Sequence, residues 1–97
     1  MTLKERLEML ELKLRLLTKN NYRCEVCRQP ISLDNSQLAH RIPMTKYNLK
    51  TYGKAVIHHE KNFAIVCGLQ CNSAVLLNIA THPVEAEELL NEIRSEL

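Results

Sequence analysis

A small α+β domain, tied together by a bound metal ion and flanked by a helix at each end, is the fold class that this chain of 97 residues predicts. Three observations carry it. The four cysteines come as two close pairs forty positions apart, Cys24/Cys27 and Cys67/Cys71. Leucines recur at helical spacing over residues 2–18, and apolar residues do so again beyond Pro83. A chain this short buries one marginal core, so a metal or an oligomer contact is expected to reinforce it. Residues 1–97 therefore read as a single domain in three parts: an N-terminal leucine-rich helix (2–18), a metal-bound core (22–80) and a C-terminal helix (83–97).

The first helix opens on Thr2 and Glu5, which have the spacing of a capping box. Its apolar residues form two stripes. Leu3, Leu7, Leu10, Leu14 and Leu17 alternate steps of four and three, and Met9, Leu12 and Leu16 do so on another side, roughly 150° away at about 100° per residue. One stripe covers the core. The other is left either for a second subunit or partner helix, or for a second part of the same domain. Asn20-Asn21 ends the helix, since Asn tolerates the left-handed turn required there. Gln37–Ile42 reads as a short strand stopped by Pro43, residues 43–61 as a long basic connection, and Phe63–Val66 as a second strand. Gln70–Ala80 reads as a helix. The last helix starts at His82-Pro83, with His82 as its cap, Pro at the first position and Glu85, Glu87 and Glu88 in or near the first turn.

Cys24-Glu25-Val26-Cys27 and Cys67-Gly68-Leu69-Gln70-Cys71 supply four thiolates in two tight turns, which is what a tetrahedral zinc site needs. Gly68 suits the second turn. With the second pair at the start of a helix, the arrangement is treble-clef-like: a knuckle, a hairpin, then a helix carrying the last ligands. Such a site is closed, so the metal is structural; iron in the same cage is an alternative. A redox pair lacks the expected βαβ context. Two disulfides would need an oxidising compartment, and four buried free cysteines would need no ion. The longest apolar runs are a few residues, too short for a membrane span, and the charged N-terminus reads as cytoplasmic rather than as a secretory signal.

The net charge of +2 conceals an asymmetry: residues 1–19 carry +2, residues 20–80 carry +4, and residues 81–97 carry −4. Asn35 to His59 contains no acid. A basic middle suits phosphate contact, and a solvated lysine-bearing loop is the plainer alternative.

Leu38-Ala39-His40-Arg41-Ile42-Pro43, then Glu60-Lys61-Asn62-Phe63 leading to Cys67, then Cys71-Asn72-Ser73, follow one another between and after the cysteine pairs. In that order, over about residues 22–78, the chain resembles the HNH endonuclease family, whose ββα-metal core often stands on a four-cysteine zinc scaffold. The resemblance implies a metal-dependent endonuclease hydrolysing DNA phosphodiester bonds. It casts His40 as the general base that takes a proton from water, Asn62 as the amide that fixes the loop and orients the imidazole, and Asn72 as the residue in the place of the last His, beside a divalent cation. Mg²⁺, Mn²⁺, Ni²⁺ or Zn²⁺ would fill that second role.

Two departures stand out. The residue before the base, usually a cation ligand in the family, is Ala39; His58, His59 or Glu60 are left as candidates to replace it. The second cysteine pair is CxxxC rather than CxxC. The alternative reading is a non-catalytic zinc-finger module that binds DNA or protein. In either case Arg41, Lys46, Lys50, Lys54 and Lys61 are the candidate contacts to DNA phosphates, with Tyr47 and Tyr52 placed to stack on a base or pack on the zinc lobe. A homodimer or a partner protein would use the first helix.

Overall fold

The structure is a computed structural model and describes residues 2–97; Met1 lies outside them. The first helix, α1, runs Leu3–Lys19 and is capped as expected: the Thr2 hydroxyl accepts from the Glu5 amide at 3.1 Å, and the Glu5 carboxylate accepts from the Thr2 amide at 3.3 Å. Leu12 and Leu16 are buried with Met9 packed beside them, so that stripe faces the core. Leu3, Leu7, Leu10 and Leu14 stay exposed, at 74%, 50%, 42% and 39%. Leu17, the last residue of that same leucine stripe, is fully buried. The chain leaves the helix through Asn21 and Tyr22, both in the left-handed region with φ of 56° and 55°.

Strand β1 is Gln37–His40 and β2 is Phe63–Val66. They pair antiparallel, with Gln37 opposite Val66 and His40 opposite Phe63. β1 stops two residues before the expected Ile42 because the next amides turn to Asn62: Arg41 donates to its carbonyl (2.8 Å) and Ile42 to its side-chain oxygen (2.9 Å).

The basic stretch 43–61 is not an extended connection. It contains α2 (Lys46–Tyr52), α3 (Lys54–Ile57) and a 3₁₀ turn (Glu60–Asn62). Thr45 caps α2 by accepting from the Asn48 amide (3.0 Å), and Gly53, with φ of 89°, is the joint that only a glycine takes without strain. What holds these short helices is packing. Leu49, Tyr52, Val56 and Ile57 close on Leu90 and Ile93 of the C-terminal helix α5 (Pro83–Ser95), with Ile42 among them. This is a second core beside the one formed by α1, the sheet, Cys24, Ile31 and Val75.

The helix expected over Gln70–Ala80 is much shorter: α4 is Leu69–Ala74. Past Val75 the Leu77 amide donates to the Arg41 carbonyl (2.6 Å), which draws the chain off the helical path, and Asn78 then organises a turn by accepting from the Ala80 amide (2.9 Å). α5 starts at Pro83 as predicted. His82 holds the cap position, but its ring makes no cap bond and meets the Thr81 hydroxyl instead (2.9 Å). No helix among the described residues is long and apolar enough to cross a membrane.

Candidate functional site

The loop after α1 and the turn after β2 bring the four cysteines together, with every Sγ within 4.8 Å of the others. Cys67 Sγ lies 3.6 Å from both Cys27 and Cys71. Around a tetrahedral ion with metal–sulfur bonds of about 2.3 Å, sulfurs stand about 3.75 Å apart, so the group fits a structural metal ion and could bind zinc. The spacing excludes disulfides: all four are free thiols. Burial opposes a charge on Cys24, but the amides of Cys27, Val26 and Cys67 directed at its sulfur outweigh that and bring it from 9.0 down to about 6. Cys71 is pushed up to about 12, first by its bond with Cys67 and then by burial. One sulfur ionises readily and another resists, so a cation is what would hold all four as thiolates. Gly68 contributes less than expected: its φ of 174° is ordinary extended backbone, and a Cβ there would meet open space.

Glu25, inside the first pair, ties the knuckle to the sheet. Its amide donates to the Ile65 carbonyl (3.0 Å), while its carboxylate accepts from the Ile65 amide (2.6 Å) and from the Arg41 guanidinium (3.1 Å). Nothing in the residue pattern marks this role, because an acid between two cysteines is equally consistent with a solvated turn.

His40 closes β1. Its ring leans on Phe63, with centroids 4.4 Å apart, and its Nε2 lies 3.3 Å from His58 Nδ1, just past α3. Burial lowers the His40 pKa below 6.5, and the neighbouring His58 charge lowers it further. Behind it Asn62 is fully buried: its side chain accepts from the Ile42 amide and donates to the carbonyls of Ile42 (3.1 Å) and Ile57 (2.8 Å). Asn62 thus fixes the loop that follows His40 and makes no hydrogen bond to the imidazole. The polar partner of His40 is His58, a residue that the sequence offers as loop surface, as a local hydrogen-bond partner or as a cation ligand.

His40 and His58 open on a cavity of about 610 Å³ whose walls include Glu5, Glu8, Glu11 and Arg15 of α1 and Glu60 of the 3₁₀ turn. Arg15 and Glu60 are joined across it at 2.8 Å. Asn72 sits half-buried on α4, does not line this cavity and makes no side-chain hydrogen bond among the described residues. His59 is directed elsewhere: its Nδ1 accepts from the Lys61 amide (3.1 Å), and its Nε2 lies 3.9 Å from Glu96 of α5.

The five basic candidates divide. Arg41 is paired with Glu25, and Lys61 with Glu96 (2.5 Å) and Glu92 (3.7 Å), contacts that raise its pKa. Both border a larger cavity of about 730 Å³ between α1 and α5, where their charges are already matched. Lys46, Lys50 and Lys54 are exposed on α2 and α3 without an acidic partner among the described residues, beside Tyr47, which is 71% exposed.

No family model, no curated protein and no solved structure matches this chain.

Proposed function

We propose that this chain is a zinc-stabilised, HNH-like endonuclease that hydrolyses DNA phosphodiester bonds with His40 as general base. The observation that carries the reading is the pairing of His40 Nε2 with His58 Nδ1 at 3.3 Å at the mouth of a cavity. With Nε2–H donating to His58, the lone pair on His40 Nδ1 is left to take a proton from water. Its lowered pKa keeps that nitrogen unprotonated at neutral pH. Asn62 supports the geometry by holding the loop behind the strand, and the four cysteines hold zinc as a structural ion. A divalent cation, when bound, would neutralise the phosphate and the leaving oxygen. Ala39 cannot ligate it, and the carboxylates of Glu8, Glu11 and Glu60 on the cavity wall are oxygen donors of the right kind. Lys46, Lys50 and Lys54 would receive the DNA backbone.

A specific observation favours a second reading, a non-catalytic zinc module that binds DNA or protein. Ala39 is buried where a cation ligand would be needed, and the acids of α1 stand close to His40, where they repel phosphate.

Plasmid nicking in Mg²⁺, Mn²⁺, Ni²⁺ or Zn²⁺, run beside His40→Ala, separates the two. The endonuclease reading expects cutting by the parent and none by the variant, at equal zinc content and equal helicity. Equal nicking by both removes His40 from the role of base. Salt-sensitive retention of DNA without cutting in any cation establishes the second reading.

A further inference from the structure

The leucine face of α1 has no partner among the described residues, and its geometry selects one outside the chain. Leu3, Leu7, Leu10 and Leu14 are exposed along about three turns of helix, on the side away from the core. Leu17, next in the stripe, is fully buried in the chain's own core, so the free face ends at Leu14. The stripe is symmetric about the point between Leu7 and Leu10: reversing the helix direction lays Leu3 on Leu14 and Leu7 on Leu10.

We propose that this face binds a second copy of the same chain, helix against helix and antiparallel. The flanking charges support a self-match. Lys4 and Glu11 lie seven residues apart on one side of the stripe, and neither has an ion-pair partner among the described residues. In the antiparallel pairing Lys4 of each copy faces Glu11 of the other, twice across the two-fold axis. The opposite flank would bring Arg6 towards a second Lys13, but Lys13 Nζ is turned back to its own domain, donating to the Leu33 carbonyl at 2.7 Å. A parallel pairing would drive the two lobes that cover Leu17 into each other. The antiparallel one places only the start of the partner helix at that level. The contact is shorter than a standard interface, so it is weak and concentration-dependent. The four exposed leucines and Lys4 do not border the His40 cavity, whereas Glu11 does, so association is read by sedimentation and not by activity.

Sedimentation equilibrium of the zinc-loaded chain over a wide concentration range tests this. The parent is expected to pass from monomer to dimer. Leu7→Gln with Leu10→Gln should abolish the dimer without changing zinc content or circular dichroism, because both positions are exposed. Lys4→Glu alone and Glu11→Lys alone should each weaken association several-fold, and the two changes together should restore it. A parent that stays monomeric at every concentration overturns the proposal. So does a dimer that survives the double leucine change, or a charge-exchanged pair that fails to recover.

Discussion

Asn62 engages both backbone polar groups of Ile42, accepting from its amide at 2.9 Å and donating to its carbonyl at 3.1 Å, as a neighbouring strand would. A third bond, to the Ile57 carbonyl at 2.8 Å, joins the end of α3 to the same side chain. One buried amide therefore ties together Ile42 and Ile57 of the second core and sets the path of the chain immediately after His40.

Replacing Asn62 with Ala leaves three buried backbone groups without partners. At about 1–3 kcal/mol for each orphaned group, the loss should reach about 3 kcal/mol or more, a large part of the stability of so small a domain. Asn62→Asp should be no better, since an oxygen would then face two carbonyls. Urea denaturation midpoints of the parent and both variants check this.

The His40 pKa is held below 6.5 by burial and by His58, so the folded state takes up its proton later than the unfolded state as pH falls. Stability should therefore decline as pH drops through 6.5 and level off below the folded His40 value, and His40→Gln should flatten that part of the profile. The acid limb of any nuclease activity should also lie below 6.5. His58→Asn removes the second charge and should move the His40 titration upward, though burial still keeps it below 6.5. Ring-proton shifts followed by NMR across this range read both effects.

One metal ion per chain is expected at the four cysteines. Structural zinc sites contribute about 10–16 kcal/mol of binding energy, as much as a domain's whole stability. Cys24 is packed in the same core as Leu12, Leu16 and Leu17, so removing the ion should cost α1 its docking surface as well as the knuckle. Elemental analysis with circular dichroism before and after chelation measures this, and Cys24→Ser should reproduce the loss. A metal-free chain that remains fully folded would contradict it.

If the exposed lysines meet DNA, Lys46→Ala, Lys50→Ala and Lys54→Ala should each reduce the slope of log affinity against log salt by about 0.9. Lys61→Ala should leave the slope unchanged, because Glu92 and Glu96 already hold that ammonium. Fluorescence anisotropy titrations at several salt concentrations distinguish the two groups.

Much of the frame is legible from local chemistry alone. Thr2 and Glu5 announce the start of α1, Phe63–Val66 is an apolar run of strand length, Pro83 opens α5, and the cysteine spacing brings four sulfurs together. What escapes the residue pattern depends on distant partners. α2 and α3 are too short to carry a periodic signature and are held by Leu90 and Ile93, more than thirty residues later. The end of α4 is decided by a single bond from Leu77 to Arg41. His58 and Glu25 gain their roles only when the fold places them 3.3 Å from His40 and 2.6 Å from the Ile65 amide. Arg41 and Lys61 look available for phosphate until Glu25 and α5 neutralise them.

By engaging both the amide and the carbonyl of Ile65, Glu25 serves as a one-residue third strand along the outer edge of β2. A two-stranded ribbon is ordinarily an open template for strand addition by other polypeptides. Here the turn that supplies two of the sulfurs also seals that margin, so the same short segment that anchors the ion guards the sheet against aggregation.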